Sequence, residues 1–213
     1  MHEEATIAAL NAGKHVLVEK PIALSTKAAK AMQKAADKRG KLMLTAHVLP
    51  FFAEFNFALV AARSGKYGKL LGGHFKRLIS NPTWLKDFYD LEKVGGPLLD
   101  LHIHDAHFIR LMFGMPSSVS SVGRMNGDCV EYCTTQFGFA EQDYVVTATS
   151  GVLHQATRSF THAFEIHFED ATLLMDFAVI DGAVKPSIIH MTPMRTVMKR
   201  PRTIAVDCRA TKA

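Results

Sequence analysis

The sequence predicts two joined α/β units: a short stretch of parallel sheet, then an α+β domain on a large, mainly antiparallel open sheet. Three observations carry this. Residues 1–46 alternate helix, strand, helix, strand. The texture changes after His47, where aromatic residues become frequent. From Ser117 onward, short apolar runs follow one another with turn residues between them, as in sheet hairpins.

In the first unit, Ala5, Ala8, Ala9 and Ala12 with Ile7 and Leu10 make a small-residue helix that Asn11 and Gly13 end. His15 to Val18 is a short β-branched run, expected as a parallel strand. Ser25 is placed to cap a helix from about Thr26 to Arg39, whose apolar face is Ala28, Ala31, Met32 and Ala35; Gly40 stops it. Lys41 to Ala46 is the next strand. The chain thus opens on a helix whose preceding strand is absent, and two strands do not make a covered parallel sheet. Either Met1 is an internal start in a longer gene or the sheet is completed from outside this sequence.

In the second unit, Phe51 to Ala62 reads as a helix and Leu70 to Ile79 as a strand crossing Gly72-Gly73. Asn81 to Leu91 is irregular and aromatic. Gly95-Gly96-Pro97 leads into a helix from about Leu99 to Phe113, closed by Gly114. Six strands follow: Val119 to Met125, Tyr132 to Phe139, Tyr144 to Ser150, Val152 to Phe160, Ala163 to Phe168 and Thr172 to Phe177. Turns are expected at Gly127, Gly151, Glu169-Asp170 and Asp181-Gly182. Pro186, Pro193 and Pro201 break the remainder, read as an irregular basic tail over 186–213.

Composition narrows the function classes. Of 213 residues, 48% are hydrophobic and 21% charged, enough apolar material for a core. The net charge of +5 resides in the segment from Met191 onward, where six basic residues face Asp207 alone. The rest balances, so no basic surface for nucleic acid is expected. Cys129, Cys133 and Cys208 form neither a disulfide framework nor a CxxC pair. The start has no signal-peptide pattern, and no apolar run approaches the ~20 residues that span a bilayer. A cytoplasmic protein is expected, with no membrane partner.

Two motifs carry chemistry. In Gly95-Gly-Pro-Leu-Leu-Asp100-Leu-His102-Ile-His104-Asp105-Ala-His107, Asp100 and His104 are i,i+4 on the expected helix. That spacing sets them about 40° apart around the axis and ~6 Å along it, so both can face one cleft. A carboxylate beside an imidazole suits proton transfer, as loss of a hydroxyl proton during alcohol oxidation requires. Equally, Asp100 sits where an N-cap would sit, with His104 merely packed. A metal-ligating His102-x-His104 would need a strand, and the apolar spacing favours helix, so no metal is assigned. The second motif is Glu19-Lys20-Pro21, at the C-terminal end of a parallel-type strand where open α/β sheets bind ligands. A lysine there can favour developing alkoxide charge, or simply sit in a solvated loop.

Together, Asn11-Ala-Gly-Lys-His-Val-Leu-Val-Glu-Lys-Pro21 and Gly95-Gly-Pro-Leu-Leu-Asp100-Leu-His-Ile-His104, about 80 residues apart, resemble the glucose-fructose oxidoreductase / inositol dehydrogenase / rhizopine catabolism family, Gfo/Idh/MocA. The match covers roughly Glu3 to Gly182. The resemblance implies an incomplete NAD(P)-binding Rossmann domain over 1–46 and a substrate and oligomerisation domain over 47–185. It implies catalytic roles for Lys20, Asp100 and His104, with His104 as general base. Glu19, Lys20 and Pro21 would border the cofactor, NAD or NADP. Lys20, Trp84, Asp100 and His104 would bind a sugar or polyol, and the sheet would form a homo-oligomer. The family's GxGxxG loop is missing, and with it the ribose selector. His107 stands where many members have aspartate, and His102 where glycine is common. The similarity fades after about Gly182. A non-catalytic dimerisation or ligand-binding module of the same family is the alternative.

Overall fold

The computed structural model describes residues 2–185 and 190–193. The first unit runs α1 (His2–Asn11), β1 (Val16–Val18), α2 (Thr26–Arg39) and β2 (Met43–Thr45). The Ser25 side chain accepts the Ala28 N–H at 3.1 Å, so α2 begins at the expected cap. Gly40, left-handed at φ 58°, lets its N–H turn back to the Ala36 and Asp37 carbonyls and ends the helix. β1 and β2 pair parallel, Val16 opposite Met43 and Val18 opposite Thr45. Leu10, Val18, Met32 and Ala36 form the small core here. Leu17 and Leu44 are 72% and 59% exposed, so one face of this pair has no cover among the described residues.

A 3-10 turn over Leu49–Phe51 leads into α3 (Ala53–Ser64), then β3 (Leu70–Ser80). After the loop 81–95 comes α4 (Gly96–Phe113), followed by β4 (Ser118–Asn126), β5 (Cys129–Gly138), β6 (Val145–Leu153), β7 (Phe160–Phe168), β8 (Ala171–Ile180), β9 (Ala183–Lys185) and β10 (His190–Pro193). The sheet order is β10-β8-β7-β3-β6-β5-β4, with β9 also on β8. β3 is its pivot, antiparallel to β7 and parallel to β6. The other pairings are antiparallel.

The apolar stripes of α3 and α4 explain why these helices cover one sheet face. Phe55 of α3 meets Phe108 of α4 edge-on at 4.9 Å and Phe164 of β7 at 5.2 Å; Phe55 and Phe108 are wholly buried. Ile109, Phe113, Phe75, Val146 and Ile166 complete this core. The opposite face carries His74, Lys76, Tyr132, Thr147, Thr149 and Asp176 and lies open.

Three expectations need correction. Gly151 is no turn: β6 runs through it, and the residues read as two strands there are one strand to Leu153 and then a loop to Phe160. A Cβ at Gly151 would lie 2.6 Å from Tyr132 Cα, so the glycine serves close strand approach in mid-sheet. Secondly, α4 starts at Gly96, three residues earlier than expected, which puts Asp100 inside the helix; Gly95 is the N-cap and no side chain caps it. Asp100 is therefore not a cap. Thirdly, within the stretch read as an irregular tail, His190–Pro193 pair with β8. The remainder of that tail, with Cys208, lies outside the described residues. No helix among the described residues is long and apolar enough to cross a membrane.

Candidate active site

The two motifs meet. β1 ends at Val18 and the chain turns through Glu19, Lys20 and Pro21, with the Lys20–Pro21 peptide cis. Lys20 thereby reaches α4: its Nζ donates to Asp100 Oδ1 at 2.6 Å and to the Asp100 carbonyl at 3.0 Å. The pair is partly exposed, so a ligand can reach it. Glu19 points to solvent and Pro21 is half-buried, its carbonyl 2.8 Å from His2 Nδ1.

His104 lies one turn beyond Asp100 on α4, but no hydrogen bond joins them, because Lys20 takes the carboxylate. The directly coupled Asp100–His104 pair expected from the spacing is thus replaced by a lysine–aspartate pair beside an unpartnered imidazole. His104 Nδ1 is sealed from solvent with no partner, which leaves Nε2 as the atom able to exchange a proton. Burial, then the positive charges of Arg77, Lys20, His47 and His107, push its pKa down to about 3. It is a neutral imidazole at physiological pH.

Two further histidines share this cleft. His47 follows β2, and His107 lies three residues beyond His104 on α4. Their rings stack at 3.9 Å, 9° from parallel. Each has a buried Nδ1 without a partner. Burial lowers His107 to about 4, with His47 and Arg110 adding to it. Burial also lowers His47, helped by Lys20. The Lys20–Asp100 pair thus stands among three histidine rings whose Nδ1 atoms are buried without partners.

His102 points elsewhere, with Nδ1 2.9 Å from Ser150 Oγ and its ring over Phe137. The two histidines of the His-x-His sequence diverge because α4 is helical. Among the described residues no cluster of three or more His, Cys, Asp or Glu is arranged to hold a metal ion. Trp84 stands 66% exposed in the loop 81–95, and no hydrogen bond, ion pair or ring contact ties it to Lys20, Asp100 or His104. Sequence reasoning passed over the pair beneath the cleft: Arg77 of β3 grips both oxygens of Asp105 at 3.0 Å, with both side chains buried. A signal existed, since Asp105 interrupts the apolar stripe Leu101, Phe108, Ile109, and Arg77 shares a strand face with Phe75.

Gly95 and Gly96 stand at positive φ where α4 begins. A Cβ added there would meet Leu99 and Leu24 at Gly95, and Leu91 and Cys129 at Gly96, so side chains pack on both glycines. The described residues thus fit the reactive end of a nicotinamide cofactor, at the C-terminal ends of two parallel strands, and hold no cradle for its pyrophosphate.

Residues 1–47 match the oxidoreductase family with an NAD-binding Rossmann fold, and residues 58–174 match the GFO/IDH/MocA C-terminal domain. The 1,5-anhydro-D-fructose reductase of Ensifer adhaerens is 30% identical over 82% of this chain and 53% of its own length. The 2,7-anhydro-N-acetylneuraminate hydratase of Escherichia coli is 30% identical over 58% of this chain and 34% of its own. The chain thus spans about half or less of these relatives. A levoglucosan dehydrogenase solved with NADH and levoglucosan shares the fold, with a TM-score of 0.73 and 20% identity over 91% of this chain and 58% of that one.

Proposed function

The chain belongs to the Gfo/Idh/MocA oxidoreductase family, and from that premise we propose that it carries the substrate side of an NAD(P)-dependent oxidoreductase acting on a sugar or polyol. The observation that carries this reading is the 2.6 Å contact between Lys20 and Asp100 beside the neutral His104, because it assembles one site from both matched segments. A bound nicotinamide would supply the hydride acceptor or donor. What the chain itself does is bind and move a proton. His104 accepts the substrate hydroxyl proton through Nε2. A base this weak holds no proton at neutral pH, so it takes one only as charge develops on the substrate oxygen. The Lys20 ammonium steadies that oxygen, and Asp100 fixes the ammonium and orients a neighbouring hydroxyl. His47 and His107, stacked ring on ring, would border the substrate with their ring faces and edges. In the reverse direction the same groups reduce a ketone.

The relatives' names support the substrate class, since an anhydro-sugar reductase and an anhydro-sugar hydratase both act on sugar derivatives. Glu19 and Pro21 would border the nicotinamide ribose. Trp84 would approach substrate only through movement of its loop. A division at residue 46 would separate the two-stranded sheet from the larger one, which continues past residue 185 through β10. Homo-oligomerisation would use the open sheet face that carries His74, Lys76, Tyr132, Thr147 and Thr149, and the free thiols of Cys129 and Cys133 support a reducing, cytoplasmic setting. His104→Ala in the complete enzyme should lower turnover of sugar and polyol substrates by roughly 10²–10⁴-fold with the fold retained. Unchanged turnover would remove His104 from the mechanism.

A further inference from the structure

We propose that the buried Arg77–Asp105 pair is the positioning element of this site, fixing the face of α4 on which His104 stands. This rests on the reading of His104 as the base, and it adds a residue pair that touches neither substrate nor cofactor.

Asp105 is the next residue after His104, about 100° further round the helix. The two side chains therefore cannot face the same way, and whatever locks one sets the other. Arg77 Nε donates to Oδ2 and Nη2 to Oδ1, both at 3.0 Å, a two-pronged grip that single-point contacts cannot match for direction. Arg77 in turn stands on β3, the strand paired on both sides, by β6 and β7. The grip thus ties the helix bearing His104 to the pivot of the sheet.

Stability alone does not account for such a pair. Both side chains are at least 95% buried, and the cost of desolvating two charges commonly cancels their attraction, so apolar side chains would hold α4 to β3 as well. Orientation and field are what an apolar pair lacks. The groups that act on His104 come from four places in the fold: Lys20 after β1, His47 after β2, Arg77 on β3 and His107 on α4. Arg77 is the largest charge effect among them and acts in the direction that keeps the ring unprotonated; it acts the same way on His162 of β7. Asp105 partly offsets burial at His102.

The test compares wild type with the apolar double variant Arg77→Met/Asp105→Leu and with the conservative Arg77→Lys. Circular dichroism follows folding, ¹⁵N imidazole NMR follows the His104 titration, and kcat and KM are measured in the complete enzyme. The double variant should fold, the His104 titration should move upward as the Arg77 charge is lost, and kcat should fall about tenfold or more while KM stays within about twofold. Arg77→Lys keeps the charge and loses the fork. It should leave His104 titrating low yet still lower kcat. A folded double variant with unchanged His104 titration or wild-type kcat overturns the proposal. If the double variant does not fold, wild-type kcat in Arg77→Lys overturns it. The NMR arm needs no substrate, so an inactive or differently active enzyme that still shows the shift would fault the base assignment and not the role of the pair.

Discussion

Lowering the pH from 8 to 5 should destabilise this protein through its buried histidines. His104 is held down to about 3, and His107 and His162 to about 4, each chiefly by burial. In the unfolded chain the same rings titrate near 6.5. Their folded pKa values are depressed, so at pH 8 they are neutral in both states and contribute nothing unfavourable. As pH falls below 6.5 the unfolded chain binds protons that the native state refuses, and stability drops. By pH 5 each ring has forgone about 1.5 units of protonation, which is about 2 kcal/mol before screening. The rings are partly solvated and near one another, so about half of that is realistic, giving about 3 kcal/mol for the three. For a chain of this size the midpoint of thermal unfolding should fall by roughly 6–12 °C. Thermal denaturation followed by circular dichroism at pH 8, 6.5 and 5 measures it. His162→Phe, placed among Phe52, Phe55, Phe160 and Phe177, should remove about a third of the slope. A midpoint constant within 2 °C or so across that window, or a slope indifferent to His162, would refute burial as the cause of the neutral histidines.

Lys20→Met should leave Asp100 without its cation and reduce turnover of the complete enzyme by about tenfold or more, while the unfolding midpoint moves little because the pair is partly exposed; steady-state kinetics beside a melting curve separate the two. Gly151→Ala should cost about 1–3 kcal/mol in urea unfolding, since the added methyl meets Tyr132 Cα and the Glu131 carbonyl at under 3 Å across the β5–β6 ladder. A neutral Gly151→Ala would mean that the strands separate more easily there than their register implies.

Much of this protein was written locally. The α2 caps, Ser25 and Gly40, are short-range signals and lie where expected. The parallel pairing of β1 with β2 follows from helix-linked apolar runs, and the family from two motifs about 80 residues apart. The failures are equally instructive. Gly151 carries a turn signal, but its role depends on Tyr132, nineteen residues earlier, crowding it from the neighbouring strand. The helix period placed Asp100 and His104 on one face, yet could not say that a lysine from another element would claim the carboxylate.

The sequence by itself thus determined the alternation of elements, the family and the two motifs of the candidate site, because capping, periodicity and motif spacing are read within one segment. The tertiary structure alone decided which groups touch. It brought Lys20 to Asp100, stacked His47 on His107, and closed Arg77 on Asp105. It also made three histidines poor bases, since burial and distant charges, unlike spacing, exist only once the chain has folded.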